Sequence, residues 1–124
     1  MSKVLVVDDN RPSRELILDI LRPLGYELKE APDGAAALVA AHDMRPDLVI
    51  LDLTMPGMDG FTVLQELRTG PDCSNVPVIA VTANAMPGER SKALQAGFTD
   101  FITKPLRSSE LRRRVEGHLH GTPA

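Results

Sequence analysis

The sequence predicts an α/β fold, a doubly wound parallel sheet of five strands with a helix following each strand. Strand-like runs fall near residues 3–8, 26–30, 47–52, 77–82 and 99–102, and each precedes a pattern of helical period. Runs such as Val4-Leu5-Val6-Val7 and Leu48-Val49-Ile50-Leu51 do not alternate with polar residues, as expected of strands covered on both faces. The connections are short, which makes successive βα units wind right-handedly. At 124 residues the chain has the size of one domain that buries a core without staples.

The first helix opens on Asn10 as cap, with Pro12 where a missing N–H does no harm. It places Leu16, Ile17, Ile20, Leu21 and Leu24 on one face. Pro23 in its last turn predicts a frayed or kinked end. Asp33-Gly34 begins an alanine-rich second helix that runs to about Met44, and Arg45-Pro46-Asp47 leads into the third strand. The third helix carries Phe61, Val63, Leu64 and Leu67 and stops at Gly70-Pro71-Asp72. A weaker fourth helix, about residues 88–96, ends at Gly97 in the manner of a left-handed cap. The fifth starts near Ser108 and spaces Leu111, Val115 and Leu119 by four. Five such units fit the flavodoxin-like strand order 2-1-3-4-5, whose switch point lies between strands one and three. Residues 1–120 form the domain in this reading, and 121–124 a flexible C-terminal tail.

Composition excludes several classes of function. A hydrophobic fraction of 43% with 25% charged residues is that of a globular protein, not a disordered one. No Trp and a single Tyr leave no platform for stacking bases, and a net charge of −3 gives no basic footprint for nucleic acid. Cys73 stands alone in a polar stretch, without a nearby His or second Cys, and reads as incidental. The first apolar run is too short for a signal segment or membrane span, so a cytoplasmic protein is expected.

Polar residues sit where the apolar runs end: Asp8 and Asp9, Asp52, Thr82, and Lys104-Pro105. Ligands of open parallel sheets collect beyond the carboxyl ends of the strands. Three carboxylates crowded there repel one another unless a divalent cation neutralises them, and a nearby ammonium adds positive charge for an incoming anion. The arrangement asks for Mg²⁺ and a phosphoryl group. Gly57 and Gly60 read as turn formers, since the loop lacks the Lys-Ser/Thr ending of a phosphate-cradling P-loop. Arg112-Arg113-Arg114 reads as a solvated basic face, and His42, His118 and His120 suggest no site.

With Val6-Val7-Asp8-Asp9, Asp52 to Gly60, Val81-Thr82-Ala83 and Thr103-Lys104-Pro105 in this order, the chain from Val4 to about Leu119 resembles the receiver domain of two-component response regulators, and is similar to the single-domain chemotaxis type. Successive intervals along Asp9, Asp52, Thr82 and Lys104 are 43, 30 and 22 residues. The resemblance implies that Asp52 accepts a phosphoryl group from a histidine kinase or histidine phosphotransfer protein as an acyl phosphate. It implies Mg²⁺, with Mn²⁺ as a substitute, held by Asp9 directly, by Asp8 largely through water, by Asp52, and by the Thr54 backbone carbonyl. Thr82 becomes the switch hydroxyl, Phe101 the aromatic that follows it, Thr54 and Asn84 the positions shaping phosphate lifetime, and Pro105 a cis proline that aims Lys104 inward.

The output implied is a changed affinity for a downstream protein at the surface of helix four, strand five and helix five, without direct binding of nucleic acid or membrane. Residues 83–88, ahead of the weakest helix, form the two-state element in this reading. The expected protein is no enzyme beyond its own phosphotransfer and slow dephosphorylation. A stand-alone receiver is expected, with a module of a larger regulator or hybrid kinase as the closest alternative. A Mg²⁺-dependent phosphohydrolase is disfavoured because Thr54 stands where such an enzyme needs a general acid. A phosphorylation-independent scaffold is disfavoured by the complete set of acidic, hydroxyl and lysine residues.

Overall fold

The computed structural model describes residues 2–55, 57–71, 73–83 and 86–120. Strands β1 (Lys3–Val7), β2 (Glu27–Ala31), β3 (Leu48–Asp52), β4 (Val78–Thr82) and β5 (Asp100–Thr103) alternate with helices α1 (Arg11–Leu21), α2 (Gly34–Met44), α3 (Gly60–Thr69), α4 (Glu89–Ala96) and α5 (Ser108–His120). All strand pairs are parallel, in the order β2-β1-β3-β4-β5. The chain therefore has the doubly wound, flavodoxin-like architecture expected, with strand ends displaced by about one residue from the apolar runs. Among the described residues no helix is long and apolar enough to cross a membrane.

Successive side chains of a strand point to opposite faces, and this alternation divides the interior into two layers. Leu5, Val7, Val49, Leu51 and Ala80 pack with α2, α3 and Ala93 of α4. Val4, Val6, Leu48, Ile50, Ile79 and Ile102 pack with α1 and α5. Short polar side chains start three of the helices: Asn10, Asp33 and Asp59 accept from the N–H groups of Ser13, Ala36 and Thr62 at 2.8–2.9 Å. Pro23 takes the form of a 3₁₀ turn over Arg22–Leu24 after α1 has ended, closed by Gly25 at φ +81°.

Four expectations need correction. Leu16 is 47% exposed, whereas Leu18 is buried. The apolar arc of α1 is wider than its contact, and the helix turns its Leu18 flank into the layer containing Leu111 and Val115 of α5. Cys73 is buried in the core, and it lines a cavity of about 240 Å³ with His42 and Glu66. The Arg68 guanidinium holds the backbone there, donating to the carbonyls of Cys73 (2.9 Å) and Val76 (2.6 Å), and also to that of Gly97 (3.1 Å). Gly60 does not have positive φ, and its smallness serves a close approach to β3 rather than a turn. Two members of the arginine run are structural, since Arg112 donates to the Ile20 carbonyl at 3.0 Å and Arg114 lies 2.5 Å from Asp100.

Asp100, at the amino end of β5, gathers Arg114 and the Nε2 of His118 at 2.9 Å, and so pins α5 to the sheet. Burial pushes its carboxyl up, but bonds from His118 and the Phe101 N–H, with the Arg114 charge, outweigh this and hold it below the ordinary value of 3.8. A carboxylate depressed in the folded state stabilises above its unfolded pKa, and the contribution is lost as pH falls through the folded one. Asp100→Asn is expected to cost about 1–2 kcal/mol at neutral pH. Urea unfolding should show that deficit shrinking as pH drops below the carboxylate range. A deficit that stays constant with pH would remove the ionic origin.

Candidate functional site

Strands β1 and β3 are neighbours in register, Val7 opposite Leu51, so Asp8, Asp9 and Asp52 emerge side by side at one sheet edge. Thr82 pairs with Thr103 across β4 and β5, and the Lys104 N–H donates to the Thr82 carbonyl at 2.8 Å. Ladder bonds continue past the strand ends, from Asp8 N–H to the Ala31 carbonyl and from Leu53 N–H to the Val81 carbonyl. The polar side chains are thus carried on backbone fixed by the sheet.

One ligand oxygen from each of Asp8, Asp9 and Asp52 lies within 4.8 Å of the others. Asp8 and Asp52 are buried, while Asp9 is exposed to solvent. Lys104 Nζ stands 3.1 Å from Asp8 Oδ2 and 3.4 Å from Asp52 Oδ2. The other Asp52 oxygen accepts the Thr54 N–H at 3.0 Å, so each carboxylate oxygen has a distinct neighbour.

The two buried carboxyls titrate in opposite directions. Burial raises Asp52 above the ordinary carboxylate value and the Asp8 charge adds to it, against the Thr54 N–H and Lys104. Burial also pushes Asp8 up, but the Ser13 hydroxyl, the Asn10 N–H at 2.9 Å and Lys104 together hold it low. Asp8 is thus the more readily ionised of the pair.

These residues fit a small divalent cation. The donors are all hard oxygens, and their spread is close to the roughly 4.2 Å across an octahedral Mg²⁺ shell, so one ion reaches some directly and another through water. One ammonium offsets one of three carboxylate charges, which leaves two for the cation.

Thr82 is fully buried at the end of β4. Phe101 is not brought to the carboxylates: it is buried in the core, in register with Ala80. Thr54 is exposed, and the Lys104–Pro105 peptide bond is cis. Asn84 lies outside the described residues, as do Pro56 and the tail at 121–124. Sequence reasoning missed the support of Asp8. Ser13 could have been found from its capping distance to Asn10, whereas nothing in the pattern marks Arg14, whose Nη1 donates to the Asp8 carbonyl at 2.8 Å and whose Nε holds Glu30 at 2.6 Å.

The family model for the response regulator receiver domain matches residues 4–116. The chain is 40% identical over 114 residues to the response regulator PleD of Caulobacter vibrioides, covering 92% of this chain and 25% of PleD. It is 38% identical over 117 residues to the DNA-binding response regulator MtrA of Mycobacterium tuberculosis, covering 94% and 50%. It thus spans a quarter to a half of these relatives. Among solved structures, the chemotaxis response regulator CheY4 of Vibrio cholerae superposes with a TM-score of 0.89 at 31% identity, covering 96% of this chain and 99% of that one. The receiver domain of a Pseudomonas aeruginosa sensor histidine kinase, with a magnesium ion coordinated in its active site cleft, does so at 0.88 and 35%, covering 96% and 98%.

Proposed function

Since this chain belongs to the response regulator receiver family of two-component systems, we propose that it takes a phosphoryl group on Asp52 from a histidine kinase or histidine phosphotransfer protein and thereby switches its affinity for a protein partner. Phosphorylation and magnesium binding are general features of the family, whose members interact with histidine kinases and are generally signalling modules, not enzymes. The observation that carries the reading is the buried Asp52 carboxylate, flanked by Lys104 at 3.4 Å and by the Asp8-Asp9 pair.

An Asp52 oxygen attacks phosphorus, the phosphorus–nitrogen bond to the donor imidazole breaks, and its electron pair leaves on the nitrogen. A carboxylate that burial makes costly to ionise gains most by sharing its charge with phosphorus. Thr54 N–H fixes one oxygen, and Lys104 is placed to follow the phosphoryl oxygens. Bound Mg²⁺, or Mn²⁺ in its place, supplies positive charge to those oxygens. Asp9 and Asp52 would hold it directly, with the Thr54 carbonyl, and Asp8 through water. The exposure of Leu16 also gains a purpose: with Pro12, Pro105 and Leu106 it lines an apolar cleft beside Lys104 where a donor protein can rest. A cytoplasmic setting follows from such donors.

Acetyl phosphate tests the reaction directly. Intact mass should rise by one phosphoryl group with Mg²⁺ present and not after chelation, and Asp9→Asn should need far more Mg²⁺ for the same uptake. Uptake indifferent to the metal would sink the assignment.

For the switch, the Thr82 hydroxyl bonds the phosphoryl group and Phe101 turns into the space that Thr82 leaves, while Asn84 and Ala85 of the connection after β4 lie outside the described residues. Helix α4 buries only Ala93, which suits a segment of low local stability, and the face of α4, β5 and α5 is the surface it alters. Amide hydrogen exchange with and without beryllofluoride should change most over residues 82–104. Thr82→Ala should keep phosphorylation and mute that change, and an undiminished response in the variant would exclude the mechanism. Because the chain covers only part of PleD and MtrA, a receiver module of a longer regulator is the second reading, which the length of the native gene decides.

A further inference from the structure

Of the three carboxylates at the sheet edge, Asp9 is the one the strands hold least. Strand β1 ends at Val7, and its ladder is carried one residue further by the Asp8 N–H, which donates to the Ala31 carbonyl at 3.2 Å. Asp8 is also fixed through its carboxylate, by the Asn10 N–H at 2.9 Å and by Lys104 at 3.1 Å. Asp9 is exposed, and its side chain makes no hydrogen bond or ion pair with another described residue. The peptide group between Asp8 and Asp9 is what remains to aim it. Such a group is planar, so a bond that fixes the Asp8 carbonyl also fixes the line along which Asp9 leaves it. That carbonyl accepts from Arg14 Nη1 at 2.8 Å, and Nε of the same guanidinium lies 2.6 Å from Glu30 Oε1. The Arg14 side chain is only 12% exposed. It stands in the first turn of α1 and Glu30 in β2, so the two bonds tie three successive elements around the Asp8–Asp9 link.

On the receiver reading, and resting on it, we propose that Arg14, braced by Glu30, is a positioning residue for the metal site: its two bonds hold the Asp8–Asp9 peptide so that the Asp9 carboxylate meets a divalent cation together with Asp52. A guanidinium suits the task because its nitrogens form a rigid fork and can serve two partners in different directions, which one ammonium cannot do with the same geometry. Charge alone forecasts the opposite effect. A fixed cation near three carboxylates repels Mg²⁺, so deleting it would tighten binding if only its charge mattered. Losing a bond that orients a metal ligand weakens binding, typically by tenfold or more.

The test titrates Mg²⁺ alone into the full-length chain and its variants, followed by amide chemical shifts, below the melting temperature of each. Arg14→Met keeps the apolar stem without charge or donors, and should raise the Mg²⁺ dissociation constant about tenfold. Arg11→Met removes the same charge one turn away, from a side chain 78% exposed that pairs with Glu15, and should leave the constant the same or slightly lower. Arg14→Lys should recover only part of the loss. Glu30→Ala should weaken binding in the wild-type background and add little to Arg14→Met. Phosphoryl uptake from acetyl phosphate should shift in the Mg²⁺ concentration giving half the maximal rate far more than in that maximal rate. Tighter or unchanged binding in Arg14→Met, an equal loss in Arg11→Met, or full recovery in Arg14→Lys would each overturn the proposal, and additive effects would overturn the part assigned to Glu30. A wild-type chain that binds Mg²⁺ but takes no phosphoryl group would instead strike the receiver reading, while the binding comparison would still decide Arg14. No Mg²⁺ binding by the wild-type chain would overturn both.

Discussion

Replacing Asp52 with Asn is expected to abolish phosphoryl uptake from acetyl phosphate and, in the absence of metal, to raise the melting temperature. Asn has nearly the same volume, and its carbonyl oxygen can keep the Thr54 N–H bond seen at 3.0 Å, so the loop should hold its shape. What disappears is the nucleophilic carboxylate. The gain in stability follows from the raised folded-state pKa of Asp52, whose first cause is burial. Below the ordinary value of 3.8 both folded and unfolded chains carry the neutral acid, and the group contributes nothing. As pH rises past that value the unfolded chain ionises first, and folded stability is lost until the folded carboxyl ionises too. Above that window the loss is constant, and the variant is spared it at neutral pH. Adding Mg²⁺ should narrow or reverse the difference, because only the wild-type site keeps all three carboxylates and binding favours the folded state. Intact mass and thermal melts read the two effects separately. Equal labelling of the variant would move the acceptor elsewhere, and a lower metal-free melting temperature would show that Lys104 depends on Asp52 more than Asp52 suffers from burial.

Much of this site was legible because the parallel sheet couples sequence to position so tightly. A strand covered on both faces must be apolar throughout, so the first polar residue after it marks the sheet edge, and Asp8, Asp52 and Thr82 are read off in that way. Strand β2 carries a weaker pattern than the others. Its residues Glu27, Lys29 and Glu30 belong to an edge, where charge guards an unpaired flank, and only Ala31 is fully buried. What stayed hidden depends on contacts between segments distant in the chain. Arg68 looks like any surface arginine on α3 until the fold brings the carbonyls of Cys73, Val76 and Gly97 around it. Arg112 and Arg114 look like a solvated run until α5 docks beside Ile20 and Asp100. The arc of α1 likewise allows either Leu16 or Leu18 inward, and the neighbouring helix decides which.

Gly60→Ala should be the most damaging single methyl added near the site. A Cβ at this position would lie 2.6 Å from the Asp52 carbonyl oxygen and 2.7 Å from Leu53 Cα. Both are backbone atoms of a central strand end, tied through Leu53 N–H to the Val81 carbonyl and through the Leu53 carbonyl to Gly60 N–H, so no flexible side chain can yield. Either the first turn of α3 lifts away, breaking the Gly60 bond and disturbing the Asp59 cap, or the end of β3 moves and takes Asp52 with it. Overpacking of this kind costs about 2–3 kcal/mol, a fall of about 10 °C in melting temperature for a domain of this size. The displaced carboxylate should slow phosphoryl uptake by an order of magnitude or more, since a reacting group tolerates little misplacement. Gly70→Ala is the comparison: its φ is −81° and the nearest atom to a new Cβ is 3.7 Å away, so it should be neutral or stabilise by up to about 1 kcal/mol. Thermal melts of the two variants, with rates of mass gain under acetyl phosphate, separate a general glycine effect from one seated at β3. If Gly60→Ala melts like Gly70→Ala and labels at the wild-type rate, the close approach of α3 to the Asp52 backbone plays no part in holding the acceptor in place.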